Sequence, residues 1–279
     1  MSDVDLRAFP EVMAKNGYAL LTDLEDTGVR RILQRMEAYQ VAFLEQTHDL
    51  WRPEFPIPGD TLAHFSRQWE LPYAWANLAG SRGRILDAGS GITFFPFLLA
   101  SEGAEVDCCD RDGEGLGLAD RFQAAVAQTT ASVRFVEGEL TDPPYPARSF
   151  DAVICISVLE HAGPRRLEIV RALAHVLRPA GRLVLTYDVN LGGGGEMPLE
   201  EVALVLGEVQ RFFEPVYPLD LSRPPTLLTS DSYLSSGRWR LPWPWRPSEQ
   251  PSVRFADEPI GSDQFQSIAI FGLTATRRP

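Results

Sequence analysis

The chain has 279 residues, 44% hydrophobic and 23% charged, an ordinary globular composition with enough length to bury a core unaided. Its formal net charge is −12 and its basic residues are scattered, which argues against nucleic acid and anionic membrane surfaces as partners. The three cysteines, Cys108, Cys109 and Cys155, sit in apolar runs with neither disulfide nor metal spacing, so no metal and a reducing, cytoplasmic setting are expected.

The opening MSDVDLRAF lacks a basic segment followed by an apolar stretch, so no secretory signal is expected. No apolar run has the length of a membrane span. Residues 1–80 read as an appended helical cap. Leu33, Met36, Tyr39 and Phe43 suggest an amphipathic helix after Gly28. A Pro-rich turn covers 52–58, and the aromatic-rich stretch 62–78 reads as helix interrupted near Pro72.

From residue 81 short apolar runs alternate with helical segments. Runs at 84–87, 105–110, 132–136, 152–156 and 182–187 read as strands, the first two ending in Asp87 and Asp110. Leu167, Val170, Leu173, Val176 and Leu177 mark a helix that Pro164 opens and Pro179 with Gly181 stops. Such alternation implies a parallel sheet with right-handed crossovers. Four glycines, 192–195, suit a lid hinge or a surface loop. Residues 199–213 read as helix and 267–275 as a last strand. The segment 220–263 is rich in Pro, Ser and Trp and reads as an irregular insertion. Its Trp239, Trp243 and Trp245 suit either an acceptor wall or packing on a sheet edge or second subunit.

Ligands in open α/β sheets bind beyond the carboxyl ends of the strands. After the first strand comes Asp87-Ala88-Gly89-Ser90-Gly91-Ile92-Thr93-Phe94, a glycine turn that lets backbone approach a ligand closely. Ser90 or Thr93 suits the cap of the next helix. Phe94 stands where a dinucleotide fingerprint needs its third glycine, so the turn departs from that pattern. Asp110 follows about 20 residues later and suits two ribose hydroxyls.

This ordered set resembles the class I S-adenosylmethionine-dependent methyltransferases. The stretch 84–100 is similar to their first motif, with Asp87, Gly89, Ser90 and Gly91 on its acid and glycines. Asp110, followed by Arg111, matches the second-strand acid. Residues 135–140 resemble the segment that meets adenine, with Glu139 where Asp is usual and Leu140 beside it. Residues 149–161 resemble the fourth-strand motif, running through Ser157 to Leu159, Glu160 and His161. Residues 177–186 resemble the turn into the fifth strand, with Ala180 where glycine is common.

The resemblance covers about 83–188. It implies an α/β, Rossmann-like, seven-stranded, mostly parallel sheet with helices on both faces and a reversed last strand. That domain would span 81–279, with 220–263 inserted before the last strand, behind the N-terminal helical cap. It also implies S-adenosylmethionine as cofactor, held by Asp87, Gly89, Ser90, Gly91, Asp110, Arg111, Glu139, Leu140 and Ser157. Segments before the first strand often cover the cofactor in this fold. Arg67 therefore suits its carboxylate, and Tyr73 or Trp69 its sulfonium.

The reaction expected is in-line methyl transfer to an O, N or C nucleophile of a small-molecule substrate by a monomer or homodimer. His161, Tyr187 and Asn190 are the catalytic candidates by position, and the imidazole suits proton transfer near neutral pH. For His161, capping or packing is the competing role. No Asn-Pro-Pro-Tyr type motif follows the fourth strand, which disfavours nucleobase acceptors. Two other readings fit the same residues. One is attack at another carbon of the cofactor, by cyclisation or aminocarboxypropyl transfer, releasing methylthioadenosine. The other is a non-catalytic binding module.

Overall fold

The computed structural model describes residues 9–50, 61–78, 83–112, 117–129, 131–192, 197–236 and 268–279. In chain order these give β1 (Asn16–Tyr18), α1 (Thr27–Gln46), α2 (Arg67–Asn77), β2 (Arg84–Ala88), α3 (Phe95–Ser101), β3 (Glu105–Asp110) and α4 (Leu118–Thr129). Next come β4 (Val133–Glu137), β5 (Phe150–Ile156), α5 (Arg166–Val176), β6 (Leu177–Asn190) and α6 (Leu199–Phe212). Last are β7 (Phe213–Pro215), β8 (Leu219–Asp220), α7 (Ser230–Ser235) and β9 (Ile268–Arg277).

The strands form one mixed sheet in the order β4-β3-β2-β5-β6-β9-β1-β8, with β7 also on β9. Strands β2 to β6 run parallel, as their alternation with helices requires. β9 is reversed and pairs antiparallel with β6, from Asn190↔Ile268 to Arg182↔Thr276. The free edge of β9 is shared. β1 takes Gly17↔Gly272 and β7 takes Phe213↔Arg277. Among the described residues the sheet thus has nine strands rather than the seven expected, because the short β1 and β8 pair with each other beyond β9.

The period-2 alternation of each strand sorts its side chains onto two faces. Ile85, Val106, Ile154 and Val184 meet Leu33, Trp69, Phe97 and Phe122 of α1 to α4. Leu86, Val153, Cys155 and Leu185 meet Val170, Leu173, Val205 and Val209 of α5 and α6. α1 starts where Asp26 Oδ1 accepts the Gly28 and Val29 N–H groups at 2.7 and 3.0 Å.

The expected break at Pro72 does not occur. α2 runs through it. Trp69 and Tyr73 stack with ring centroids 4.6 Å apart, fully buried against Gly272, where a Cβ would lie 2.6 Å from the Trp69 ring. This packing outweighs the helix-breaking tendency of the proline. Ala180 adopts φ +62, the left-handed region that makes glycine common at that turn.

Part of the segment read as an irregular insertion is ordered: α7 starts at a reciprocal cap between Thr229 and Ser232. Trp239, Trp243 and Trp245, and Gly193 to Gly195, lie outside the described residues. No helix among the described residues is long and apolar enough to cross a membrane.

Candidate active site

All five parallel strands end at one sheet edge, and the turns that leave them converge there. Gly89, at φ +79, donates its N–H to the Cys109 carbonyl at 2.7 Å. A Cβ on Gly89 would lie 2.3 Å from Val158 Cγ2, so only glycine lets the turns after β2 and β5 touch. Gly91, at φ +50, donates its N–H to Asp110 Oδ2 at 2.7 Å. The Arg111 N–H fixes Asp110 Oδ1 at 2.8 Å. The carboxylate that ends β3 is thereby aimed by the glycine turn beside it. Each of its oxygens retains a lone pair for a further donor. A cavity of about 290 Å³ opens here, lined among others by Gly89, Asp110, Leu140, Ser157, Val158 and His161.

Behind Ser157 lies a buried polar cluster. Ser157 is held at φ +50, with its N–H on the Thr186 carbonyl at 3.0 Å. Its hydroxyl accepts from Arg67 Nη1 and donates to Glu70 Oε1 at 2.8 Å. Glu70 Oε1 also accepts from Thr186 Oγ1 at 2.7 Å, and Oε2 from Arg67 Nη1 at 2.6 Å. Glu70 is completely buried. Burial alone would raise its carboxyl, but the Arg67 charge and the bonds from Thr186, Ser157 and Arg67 hold it below the ordinary range.

Other carboxyls nearby lack such support. Asp87 is buried and pushed up to about 7, first by desolvation and then by Asp110, with Arg67 partly offsetting both. Glu160 is 3% exposed. Its Oε1 accepts the Asp188 N–H at 3.3 Å, while Oε2 is buried with no hydrogen-bond partner. Desolvation, then the Asp188 and Glu70 charges, drive its carboxyl well above the usual range. A positive charge placed beside Asp87 and Glu160 would oppose the shifts that raise them.

Of the residues singled out in the sequence, Gly89, Asp110, Leu140 and Ser157 line the cavity, Gly91 holds Asp110, Arg67 lies in the cluster behind Ser157, and Asp87 is within the influence of Asp110 and Arg67. Ser90 is buried and its hydroxyl donates to the Gly91 carbonyl at 3.0 Å. Arg111 and Glu139 stand at the rim. The half-exposed Glu139 carboxylate pairs with Arg165 at 3.0 Å and more loosely with Arg111 at 3.9 Å. His161 lines the cavity with an exposed side chain, and its backbone N–H closes the turn onto the Val158 carbonyl at 3.1 Å.

Two candidates, Tyr73 and Tyr187, are placed elsewhere, and Asn190 serves a turn. Tyr73 is a packing residue. It is wholly buried, and its hydroxyl bonds the Lys15 carbonyl at 2.8 Å and Thr274 Oγ1 at 2.9 Å. Tyr187 falls on the α5–α6 face, because strand alternation sends it away from Thr186 and Asp188. It stacks on Phe271 with centroids 5.4 Å apart. Asn190 shapes the turn after β6, its Oδ1 accepting the Gly192 N–H at 2.9 Å. Glu70 was not singled out in the sequence. Its one signal was the i,i+3 spacing from Arg67. Among the described residues, no group of three or more His, Cys, Asp or Glu side chains is placed to hold a metal ion.

A family profile described as Methyltransferase domain matches residues 86–185, the region that supplies the cavity turns. The ubiquinone biosynthesis O-methyltransferase of Xylella fastidiosa (strain M23) is 31% identical over 146 residues, 52% of this chain and 56% of that protein. The protein of the same description from Xanthomonas campestris pv. campestris (strain B100) is 36% identical over 118 residues, 42% of this chain and 47% of that one. The chain thus spans about half the length of the curated relatives it matches. A solved structure assigned to a sarcosine dimethylglycine methyltransferase of Galdieria sulphuraria shares the fold, with a TM-score of 0.50 at 13% identity, over 71% of this chain and 79% of that one.

Proposed function

We propose that the chain is a class I S-adenosylmethionine-dependent methyltransferase that methylates a nucleophilic atom of a small molecule, a reading supported by the methyltransferase-domain profile over residues 86–185. The observation that supports this best is the cavity of about 290 Å³ with Asp110 aimed into it by the Gly91 N–H. The residues present fit the cofactor. Asp110 offers its carboxylate to a ribose diol, and Leu140 an apolar wall to the adenine. The carboxyl-rich end near Asp87 and Glu160 suits the ammonium of the amino-acid arm, and Glu160 Oε2 is a buried oxygen without a hydrogen-bond partner.

When bound, S-adenosylmethionine supplies a methyl group activated by its sulfonium. The chain's own residues bind, orient and exclude water. Gly89 and Gly91 bring backbone close to the ligand. Arg67, backed by Glu70, receives the carboxylate of the amino-acid arm. Ser157 and the turn that follows it close the wall between cofactor and acceptor. His161, exposed at that wall, is the side chain placed to take a proton from an O–H or N–H acceptor. A hydroxyl oxygen is the first acceptor atom to test, since the curated relatives are named as O-methyltransferases.

The test is incubation with S-adenosylmethionine and a panel of small hydroxylated acceptors, followed by mass spectrometry. Adenosylhomocysteine formed only with an acceptor, and lost in Asp110→Ala, supports the reading. Methylthioadenosine formed from the cofactor alone would overturn it in favour of attack at a different carbon.

A further inference from the structure

We propose that Glu70 is a positioning residue, a buried carboxylate that holds Arg67 and Ser157 in the arrangement that receives the carboxylate end of the cofactor. This rests on the methyltransferase reading above. Three separate parts of the fold meet on this one side chain: α2 through Arg67, the turn after β5 through Ser157, and β6 through Thr186. Neither Arg67 nor Ser157 has a self-sufficient geometry. Ser157 sits at φ +50, a region that a serine occupies only when its surroundings insist. Arg67 lies within the influence of Glu70, Glu160 and Asp188, and it in turn acts on Asp87. A guanidinium among four carboxyls has several places to go.

Glu70 settles the choice. It is i+3 to Arg67 on the same helix, so it captures Nη1 at 2.6 Å without moving either backbone. Both bonds use Nη1, and among the described residues Nε and Nη2 make none. Two such donors form the fork that matches a carboxylate. Only an ionised side chain can do this. Three donors, from Arg67, Ser157 and Thr186, converge on two oxygens with about four lone-pair sites. A glutamine offers half that capacity and turns an N–H toward one of them.

The role is separable from mere folding by choice of ligand. Adenosylhomocysteine carries the amino-acid arm, and methylthioadenosine lacks it. Both are titrated calorimetrically into wild type, Glu70→Gln, Arg67→Ala and the double variant. Glu70→Gln is expected to weaken adenosylhomocysteine about tenfold, the loss of one charge-assisted hydrogen bond. Methylthioadenosine binding should stay within about twofold. In the Arg67→Ala background, Glu70→Gln should add nothing, and Glu70→Asp, titrated alongside with Arg67 intact, should lose less than Glu70→Gln. Equal weakening of both ligands, or no weakening of either, overturns the proposal. A wild type that binds neither ligand overturns the cofactor reading itself, and the proposal with it. If Glu70→Gln does not fold, Thr186→Val decides. It removes one donor from Glu70, and a loss confined to adenosylhomocysteine supports the proposal while an equal loss overturns it.

Discussion

Replacing Gly89 by alanine puts two separable strains into the turn after β2. The residue sits at φ +79, and holding an L-residue in the left-handed region costs about 1–2 kcal/mol. Its new Cβ would also lie 2.3 Å from Val158 Cγ2, and such overpacking costs about 1–3 kcal/mol more. Gly91 provides the internal control. It has φ +50 and nothing within 4 Å of an added Cβ, so Gly91→Ala carries the first strain alone. At about 2–4 °C per kcal/mol for a chain of this size, Gly91→Ala should lower the melting midpoint by roughly 2–8 °C. Gly89→Ala should lower it about twice as far. The two strains are told apart by Val158→Ala, which removes the methyl that clashes. In a double-mutant cycle, Gly89→Ala with Val158→Ala should cost no more than Gly91→Ala plus Val158→Ala, within about 1 kcal/mol. Thermal melts of the five proteins without ligand give the answer. The reasoning fails if Gly89→Ala is as mild as Gly91→Ala, or if trimming Val158 brings no relief.

Three further outcomes are expected. Asp87 titrates at about 7 when folded, against about 3.9 in an unfolded chain. The folded state therefore holds the extra proton between these values. The stability this contributes is complete below about pH 4 and is lost as pH rises through about 7. Asp87→Asn should flatten the corresponding fall in melting midpoint, and an unchanged slope would count against the assignment. The Asn16 side chain donates to the Tyr217 and Thr274 carbonyls at 2.8 and 3.1 Å and accepts the Thr274 N–H at 2.6 Å. Asn16→Ala leaves buried backbone groups unpaired and should cost about 3 kcal/mol in chemical denaturation, a loss under 1 kcal/mol being evidence that water replaces the amide. Tyr73→Phe should cost about 1 kcal/mol of stability yet leave adenosylhomocysteine affinity unchanged, whereas a selective affinity loss would return Tyr73 to the binding site.

The parallel centre of the sheet was legible because β2 and β5 are short, largely apolar runs buried on both faces and bounded by turn residues. The glycine turn and Asp110 were legible for a related reason: backbone conformation and ligand chemistry both constrain those positions. β1 was not legible. Three residues carry no period, and Asn16, Gly17 and Tyr18 become a strand only because β9 is there to pair with them. Tyr187 and Asp188 both lie at a strand end near the mouth, but side-chain alternation on β6 sends adjacent residues to opposite faces. Position along the chain did not distinguish them. Glu70 was hidden for another reason. A glutamate in a helix usually points to water, and only the tertiary approach of Ser157 and Thr186 turns it inward.

The sharing of β9 between β6, β1 and β7 has a consequence for how the molecule is made. Gly17 leaves the ribosome long before its partner Gly272. Until residues 268–277 emerge, β6 presents an unpaired edge and β1 has nothing to join. Trp69 and Tyr73 of α2 likewise wait for Gly272 as their floor. From the emergence of β6 until residues 268–277 follow, the nascent chain therefore carries an unpaired strand edge and uncovered aromatic surface on α2, a state that aggregates readily and folds slowly. Loss of residues 268–279 would remove the surface on which Trp69 and Tyr73 of α2 rest, so a nick far away in sequence would loosen the helix that carries Arg67.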